Sequence, residues 1–190
     1  MASDEARRLH LLTMDEYLEM ERESAVRHEY VGGHLHAFAG ASDAHNRIAL
    51  RVAARLLDAA GEGPCRVYIS DMKLQVSDQA VYYPDILVTC DPDDDDSYVK
   101  RNPCLVIEIL SPSPASVDWR EKLLAYRGLP ELKSYTILFQ DEQRALTHAR
   151  DEHGAWWESE VARTGKVVFP CPALEMTLEE IYSDIALAKR

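Results

Sequence analysis

Four segments of the chain have apolar residues at helical spacing, and three of them begin with a helix-start signal. Thr13 and Glu16 form a capping-box pattern before the first segment, and Thr177 and Glu180 repeat it near the end of the chain. The second segment follows Ser42, a residue type favoured at helix N-caps. These signals predict helices over 13–21, 42–61, 116–127 and 177–187.

The other apolar residues alternate with polar ones or form short runs, which is typical of strands. A hairpin is predicted over 28–38, where Gly32 and Gly33 separate two alternating runs. We predict further strands over 66–70, 72–76, 81–90, 105–110, 135–139, 146–149, 156–161 and 166–169. This order predicts one α/β domain over 1–190: a central mixed β-sheet flanked by helices, with an added antiparallel hairpin region and a flexible tail at 1–12.

The chain of 190 residues has 21 Lys plus Arg and 33 Asp plus Glu, a formal net charge of −12. Such an acidic protein repels polyanions, so non-specific binding to nucleic acid or to anionic membranes is disfavoured. A nucleic-acid site would need local positive charge. Arg47, Arg51 and Arg55 recur at intervals of four and form either a solvated stripe or a patch for phosphates.

Cysteines stand at 65, 90, 104 and 171, and no two of them form a CxxC pair. This irregular spacing, without a secretory signal or an apolar run long enough for a membrane span, predicts reduced thiols in a cytoplasmic protein. It argues against a zinc ribbon and against a disulfide framework.

Two acidic residues interrupt apolar runs. Asp85 precedes an Ile-Leu-Val run, and Glu108 lies in the middle of the strand predicted over 105–110. An unpaired buried carboxylate costs several kcal/mol, so a cation must neutralise each of them. One divalent ion held by both acids is one solution, since carboxylate oxygens suit Mg²⁺ or Mn²⁺. An ion pair between Glu108 and an arginine is the alternative.

The helix predicted after this strand carries Asp118 and Lys122, four residues apart and therefore on one face. They either form an ordinary ion pair with each other, or Lys122 reaches back to the two acids. In the second case its ammonium orients water and offsets phosphate charge.

Two other polar features have simpler interpretations. The acidic run at 91–96 lacks the Gly and Glu that a calcium loop requires at its sixth and twelfth positions, which favours a solvated, mobile loop. His45, near a predicted helix start, is expected to pack, to cap the helix or to touch a phosphate.

Several motifs together resemble the Uma-type restriction endonucleases, a branch of the PD-(D/E)XK nuclease superfamily. The resemblance spans about 13–161. It rests on YPDILV at 83–88, PCLVIEILSPS at 103–113, Asp118 with Lys122, ELKSY at 131–135, HEYVGG at 28–33, and Ser42 with His45.

The resemblance implies a restriction-endonuclease-like core in which Asp85, Glu108 and the carbonyl of Ile109 hold a divalent metal. The superfamily's lysine normally stands two residues after the second acid, where this chain has Leu110. In this branch the lysine comes from the next helix, which implies Lys122.

By the same resemblance, Glu29 matches an N-terminal acid that adds a further metal or water ligand. The expected protein is therefore a magnesium-dependent endonuclease acting on DNA, and a homodimer by analogy with nucleases that cut duplexes. Two alternatives stay open. The net charge of −12 favours a catalytically inactive binding or assembly module, and the arginine stripe favours a nuclease for a small or structured nucleic acid.

Overall fold

A computed structural model describes residues 11–37, 40–110 and 119–187. Its helices are α1 (Met14–Glu23), α2 (Asp43–Ala60), α3 (Trp119–Tyr126) and α4 (Leu178–Ile181). Its strands are β1 (His28–Val31), β2 (His34–Ala37), β3 (Arg66–Ile69), β4 (Lys73–Ser77), β5 (Ala80–Tyr82), β6 (Ile86–Thr89), β7 (Val99–Lys100), β8 (Leu105–Leu110), β9 (Ser134–Phe139), β10 (Arg144–Arg150), β11 (Trp156–Ala162), β12 (Lys166–Pro170) and β13 (Ala173–Thr177). None of these helices is both long and apolar enough to cross a membrane.

The largest sheet has six strands in the order β11-β10-β9-β8-β6-β3. The β8–β9 pair is parallel and the other neighbours are antiparallel, so the sheet is mixed as the sequence predicts. Five of the six β8 residues are buried, because both faces of this strand are covered.

Helices cover the two faces of this sheet. Ile107 and Ile109 of β8 pack in one buried cluster with residues of α2, whereas Val106 lies in a second cluster with Leu123 and Tyr126 of α3. Successive strand residues point to opposite faces, which assigns Glu108 to the α3 side. The predicted α/β core with a central mixed sheet is confirmed.

A second sheet of five strands has the order β2-β1-β5-β4-β7. It contains the predicted hairpin of β1 and β2, whose turn residues Gly32 and Gly33 both have positive φ. A Cβ at Gly33 would lie 2.6 Å from the Cβ of Leu11, and the Leu12 amide donates to the Gly33 carbonyl. Leu11 and Leu12 therefore contact the hairpin rather than belonging to a free tail, and residues 1–10 lie outside the described part of the chain.

The single strand predicted over 81–90 was wrong. The chain forms β5 in the smaller sheet, leaves it at 83–85, and enters the larger sheet as β6. Pro84 has no N–H to donate to a ladder, and the amide of Tyr83 donates to the carboxylate of Glu29 instead. Asp85 consequently lies at the point where the chain passes between the sheets.

The last helix is shorter than predicted, ending at Ile181 instead of near 187. Asp184 has a positive φ of 60°, which a continuing helix does not allow. The guanidinium of Arg51 donates to the carbonyls of Ile181 and Ser183, groups that the helix leaves without intrahelical partners. The short strands β7 and β13 were not predicted.

The acidic run forms a turn between β6 and β7. Asp93, Asp95 and Asp96 are exposed, as predicted for a solvated loop, whereas the Asp94 side chain is buried and accepts hydrogen bonds from the amides of Arg101 and Asn102. The Asp96 carboxylate accepts from the amides of Tyr98 and Val99. Local carboxylate–amide bonds therefore shape the turn, and the mobility of the loop stays a prediction.

All four cysteines form disulfides, Cys65–Cys90 and Cys104–Cys171. The prediction of reduced thiols was wrong, because spacing along the chain does not show which strand ends are neighbours. The cytoplasmic location and the single domain stay predictions.

Candidate active site

Asp85 directly precedes β6, and Glu108 lies on the neighbouring strand β8. Ile86 pairs with Ile107, so the residues that flank this pair, Asp85 and Glu108, come close together at the end of the ladder. The Ile109 amide donates to Asp85 Oδ2 over 2.7 Å. The register of one strand pair therefore brings both predicted acids and the Ile109 peptide together.

Lys122 joins two carboxylates from different sheets. Its Nζ lies 2.7 Å from Oε1 of Glu29 on β1 and 2.9 Å from Oε1 of Glu108 on β8. Tyr126, one helical turn after Lys122, donates its hydroxyl to Glu108 over 3.2 Å. The three charged side chains are 7–10% exposed.

The cation beside Glu108 is thus the lysine. Within the described parts of the chain, no arginine lies within ion-pair distance of Glu108, so the alternative arginine pair is not observed. Asp118 lies outside the described residues, and with it the predicted pair of Asp118 and Lys122.

His45, for which the sequence left packing, helix capping and a phosphate contact open, lies beside Asp85. It lies in the first turn of α2, where its amide donates to the N-cap oxygen of Ser42. Its Nε2 is 3.1 Å from Asp85 Oδ2. Ser42 places His45 in a helix start, but nothing in the pattern indicates a partner 40 positions away.

Burial and charge act against each other in this site. Burial raises the pKa of Glu108 to about 7, although the Lys122 ammonium opposes that rise and the carboxylates of Asp85 and Glu29 add to it. Burial would lower the pKa of Lys122, but Glu108 and Glu29 outweigh it and raise that pKa.

The pKa of His45 is also raised. Burial alone would lower it, and the hydrogen bond and charge of Asp85 outweigh burial. Three carboxylates therefore face one ammonium and one imidazole, an arrangement that favours additional positive charge.

The donor set fits a hard divalent cation. Oδ1 of Asp85 and Oε2 of Glu108 accept no hydrogen bond from any residue in 11–37, 40–110 or 119–187. The Ile109 amide donates to Asp85 Oδ2, which places the backbone of this residue beside the two acids. Carboxylate and carbonyl oxygens of this kind suit Mg²⁺ and Mn²⁺.

The arginine stripe is occupied by contacts within the chain. Arg51 binds carbonyls next to α4, Arg55 lies 3.4 Å from Glu180, and Arg47 lies 3.8 Å from Asp43. These contacts support a structural role for the stripe and leave less of its charge for phosphates.

The chain is similar in sequence to known proteins. The model of the Uma2 family, described as "Putative restriction endonuclease", matches residues 14–187. Uncharacterized protein slr1290 of Synechocystis sp. is 29% identical over 177 residues, covering 92% of this chain and 93% of that protein. Uncharacterized protein sll1609 of the same organism is 31% identical over 134 residues, covering 68% of this chain and 76% of that protein.

A solved structure has the same fold. It is the crystal structure of a putative nuclease belonging to DUF820 from Anabaena variabilis, with a TM-score of 0.74 and 17% sequence identity. The match covers 90% of this chain and 98% of that chain.

Proposed function

The chain belongs to the Uma2 family, and we propose that it hydrolyses phosphodiester bonds in DNA at the Asp85–Glu108–Lys122–Glu29 cluster, with Mg²⁺ or Mn²⁺ as cofactor. One observation carries the proposal. Charged residues separated by up to 93 positions meet in one buried cluster between two sheets. A purely structural core gains little from such a cluster, because desolvating charges costs several kcal/mol for each ion.

Asp85, Glu108 and the carbonyl of Ile109 would hold the metal ion. A divalent ion bound there lowers the pKa of a bound water and polarises a phosphoryl oxygen. Glu29 would support the site from the smaller sheet, as a further ligand for metal or water.

Lys122 holds positive charge at Nζ, between Glu29 and Glu108. In the proposed reaction this ammonium orients the attacking water and offsets the charge that develops on the phosphate. His45 donates to Asp85 and fixes the direction of its carboxylate, which makes His45 a positioning residue.

A catalytically inactive binding or assembly module is the second candidate. It is favoured by the net charge of −12 and by the internal contacts of Arg51 and Arg55. Calorimetric titration with Mg²⁺ and Mn²⁺ separates the two functions: the nuclease binds metal through Asp85 and Glu108, whereas the module shows no binding at millimolar metal.

The decisive experiment incubates the full chain with supercoiled plasmid DNA and either metal. Asp85→Asn is expected to abolish both metal binding and cleavage, since it removes a charged ligand without changing size. Asp95→Asn, at an exposed position outside the site, is the matched control and retains both. Equal cleavage by Asp85→Asn and the unaltered chain would contradict the proposal.

Substrate preference and assembly are tested with the same preparation. A DNA duplex is expected to be cut in preference to RNA of the same sequence. The homodimer is checked by light scattering on the eluting protein, where a monomeric mass would contradict it.

A further inference from the structure

The four cysteines gather at the end of β6 and β8 that lies away from Asp85. Cys65 directly precedes β3, Cys90 directly follows β6, and Cys104 directly precedes β8. These strands are neighbours, since Arg66 pairs with Thr89 and Val88 pairs with Leu105. Cys171 reaches the same edge from the turn between β12 and β13.

The two disulfides form one sulfur cluster. Sγ of Cys90 lies 3.3 Å from Sγ of Cys104, although the two cysteines belong to different disulfides. The sulfurs of Cys90, Cys104 and Cys171 all lie within 4.8 Å of one another. Cys65 joins the group through its bond to Cys90.

These distances are close to those of a metal–thiolate centre. A tetrahedral zinc ion binds cysteine sulfur at about 2.3 Å, which places neighbouring sulfurs about 3.8 Å apart. Once the disulfides are reduced, each bonded pair has to separate by less than 2 Å or so to reach that spacing. The sulfurs of Cys90, Cys104 and Cys171 are therefore already near that spacing, whereas the sulfur of Cys65 has to move closer to those of Cys104 and Cys171.

Reduction also creates an electrostatic reason to bind a cation. Cys104 and Cys171 are each 5% exposed and Cys65 and Cys90 are half-buried, so the four thiols would share a space with limited access to water. A soft dication stabilises the thiolate form that such a site otherwise disfavours, and thiolates select Zn²⁺ among common divalent ions.

We propose that the chain, when both disulfides are reduced, binds one Zn²⁺ through Cys65, Cys90, Cys104 and Cys171. A phosphine supplies one electron pair to each disulfide and becomes a phosphine oxide with oxygen from water, leaving two thiols for each bridge. Zinc binding then releases up to four protons from the thiols. Because spacing without CxxC pairs does not form a zinc ribbon, this centre depends on the sheet for its geometry.

The zinc centre is independent of the proposed nuclease site. Cys90 follows Asp85 by five residues along one strand, roughly 16 Å at the rise of an extended chain. The two sites also differ in donor chemistry, since hard oxygens form one and thiolates form the other.

The test reduces the full chain with a phosphine, removes the reductant, and titrates with Co²⁺ as a spectroscopic probe for zinc. We expect the near-ultraviolet charge-transfer and visible bands of tetrahedral thiolate coordination to saturate at one thiolate-bound Co²⁺ per chain, and Co²⁺ held by the carboxylates of Asp85 and Glu108 gives no such bands. One equivalent of Zn²⁺ should displace it. The unreduced chain should show no such bands.

Variants separate this site from the other one. Cys104→Ser and Cys65→Ser should each weaken Co²⁺ binding by at least roughly tenfold, whereas Asp85→Asn should leave the spectrum unchanged. Circular dichroism reports folding in each sample. Because Cys65 is only half-buried, Cys65→Ser is expected to fold even if Cys104→Ser does not. The proposal is overturned if the reduced chain gives no thiolate bands, if it stays unfolded after zinc is added, or if both serine variants bind Co²⁺ as tightly as the unaltered chain.

Discussion

The two ends of β6 and β8 contain opposite kinds of chemistry. At one end, Asp85 and Glu108 face Lys122 in a cluster of buried charge. At the other end, neutral disulfides bond Cys90, next to β6, to Cys65, and Cys104, next to β8, to Cys171. One end of the β6–β8 pair therefore holds a charged site that lowers the stability of the fold, and the other end holds disulfides that raise it.

The physical reason lies in desolvation. A buried ion cluster seldom adds net stability, but removing one partner leaves the others uncompensated. A disulfide adds stability by restricting the unfolded chain, largely without regard to the charges around it. Changes at the charged end should therefore affect activity first, whereas changes at the cysteine end should affect stability alone.

The largest effect is expected from Lys122→Met, which leaves Glu29 and Glu108 without their shared cation. We expect loss of cleavage and a fall of about 3–5 kcal/mol in the free energy of unfolding. Urea denaturation of the variant measures the second quantity. Lys122→Arg, the control that keeps the charge, should retain most of the stability.

The pH dependence of the same variant distinguishes charge from lost packing. In the unaltered chain burial raises the pKa of Glu108 to about 7 from the usual 4.5, although the Lys122 ammonium opposes that rise. Without this ammonium the pKa rises further, so the folded variant binds the proton more strongly than the folded unaltered chain, and the variant's loss of stability shrinks as pH falls toward about 5. A deficit in Lys122→Met that does not shrink toward about pH 5 would point to packing instead.

The cysteine end should give the opposite result. Replacing Cys104 and Cys171 by serine opens a loop with a sequence separation of 67 and should lower the free energy of unfolding by roughly 4 kcal/mol without reductant. Replacing Cys65 and Cys90, with a separation of 25, should cost about 3 kcal/mol. Plasmid cleavage by the folded fraction should stay the same. Loss of cleavage in a variant that is still folded would contradict the separation of activity and stability between the two ends.

A smaller effect is expected for His45→Ala. The histidine orients Asp85 without closing the site, so cleavage should fall by roughly 10- to 100-fold while stability changes little. His34→Ala, an exposed histidine on β2, is the matched control. Cleavage at the rate of the unaltered chain would remove His45 from the site.

The smallest effect concerns His148, which lies away from both ends, between Trp119 and Tyr135. Burial lowers its pKa, although Glu158 opposes this. The unfolded chain therefore takes up the proton first as pH falls through about 6.5, and the free energy of unfolding decreases. His148→Phe should be less sensitive than the unaltered chain between about pH 8 and 5.5, as denaturation at each pH would show.

Prediction from sequence succeeded where a residue contradicts its surroundings. Glu108 within an apolar strand and Asp85 beside another are visible because buried acids need partners. The helix-start signals at Thr13, Ser42 and Thr177 are equally local, and the structure has N-caps at each of them.

Prediction failed where the answer depends on pairing between distant segments. The run around Pro84 is apolar on both sides, so its pattern does not show that the two halves belong to different sheets. The contact of His45 with Asp85 and the pairing of the cysteines were missed for the same reason. Their partners are set by sheet register, which no spacing along the chain encodes.

Lys122 has a mechanical consequence as well as an electrostatic one. Its ammonium binds Glu29 on β1 of the smaller sheet and Glu108 on β8 of the larger sheet, so it links the two sheets at the site itself. In the proposed reaction, a phosphate at the site would compete with Glu29 and Glu108 for this ammonium, and its binding would then weaken the contact between the two sheets.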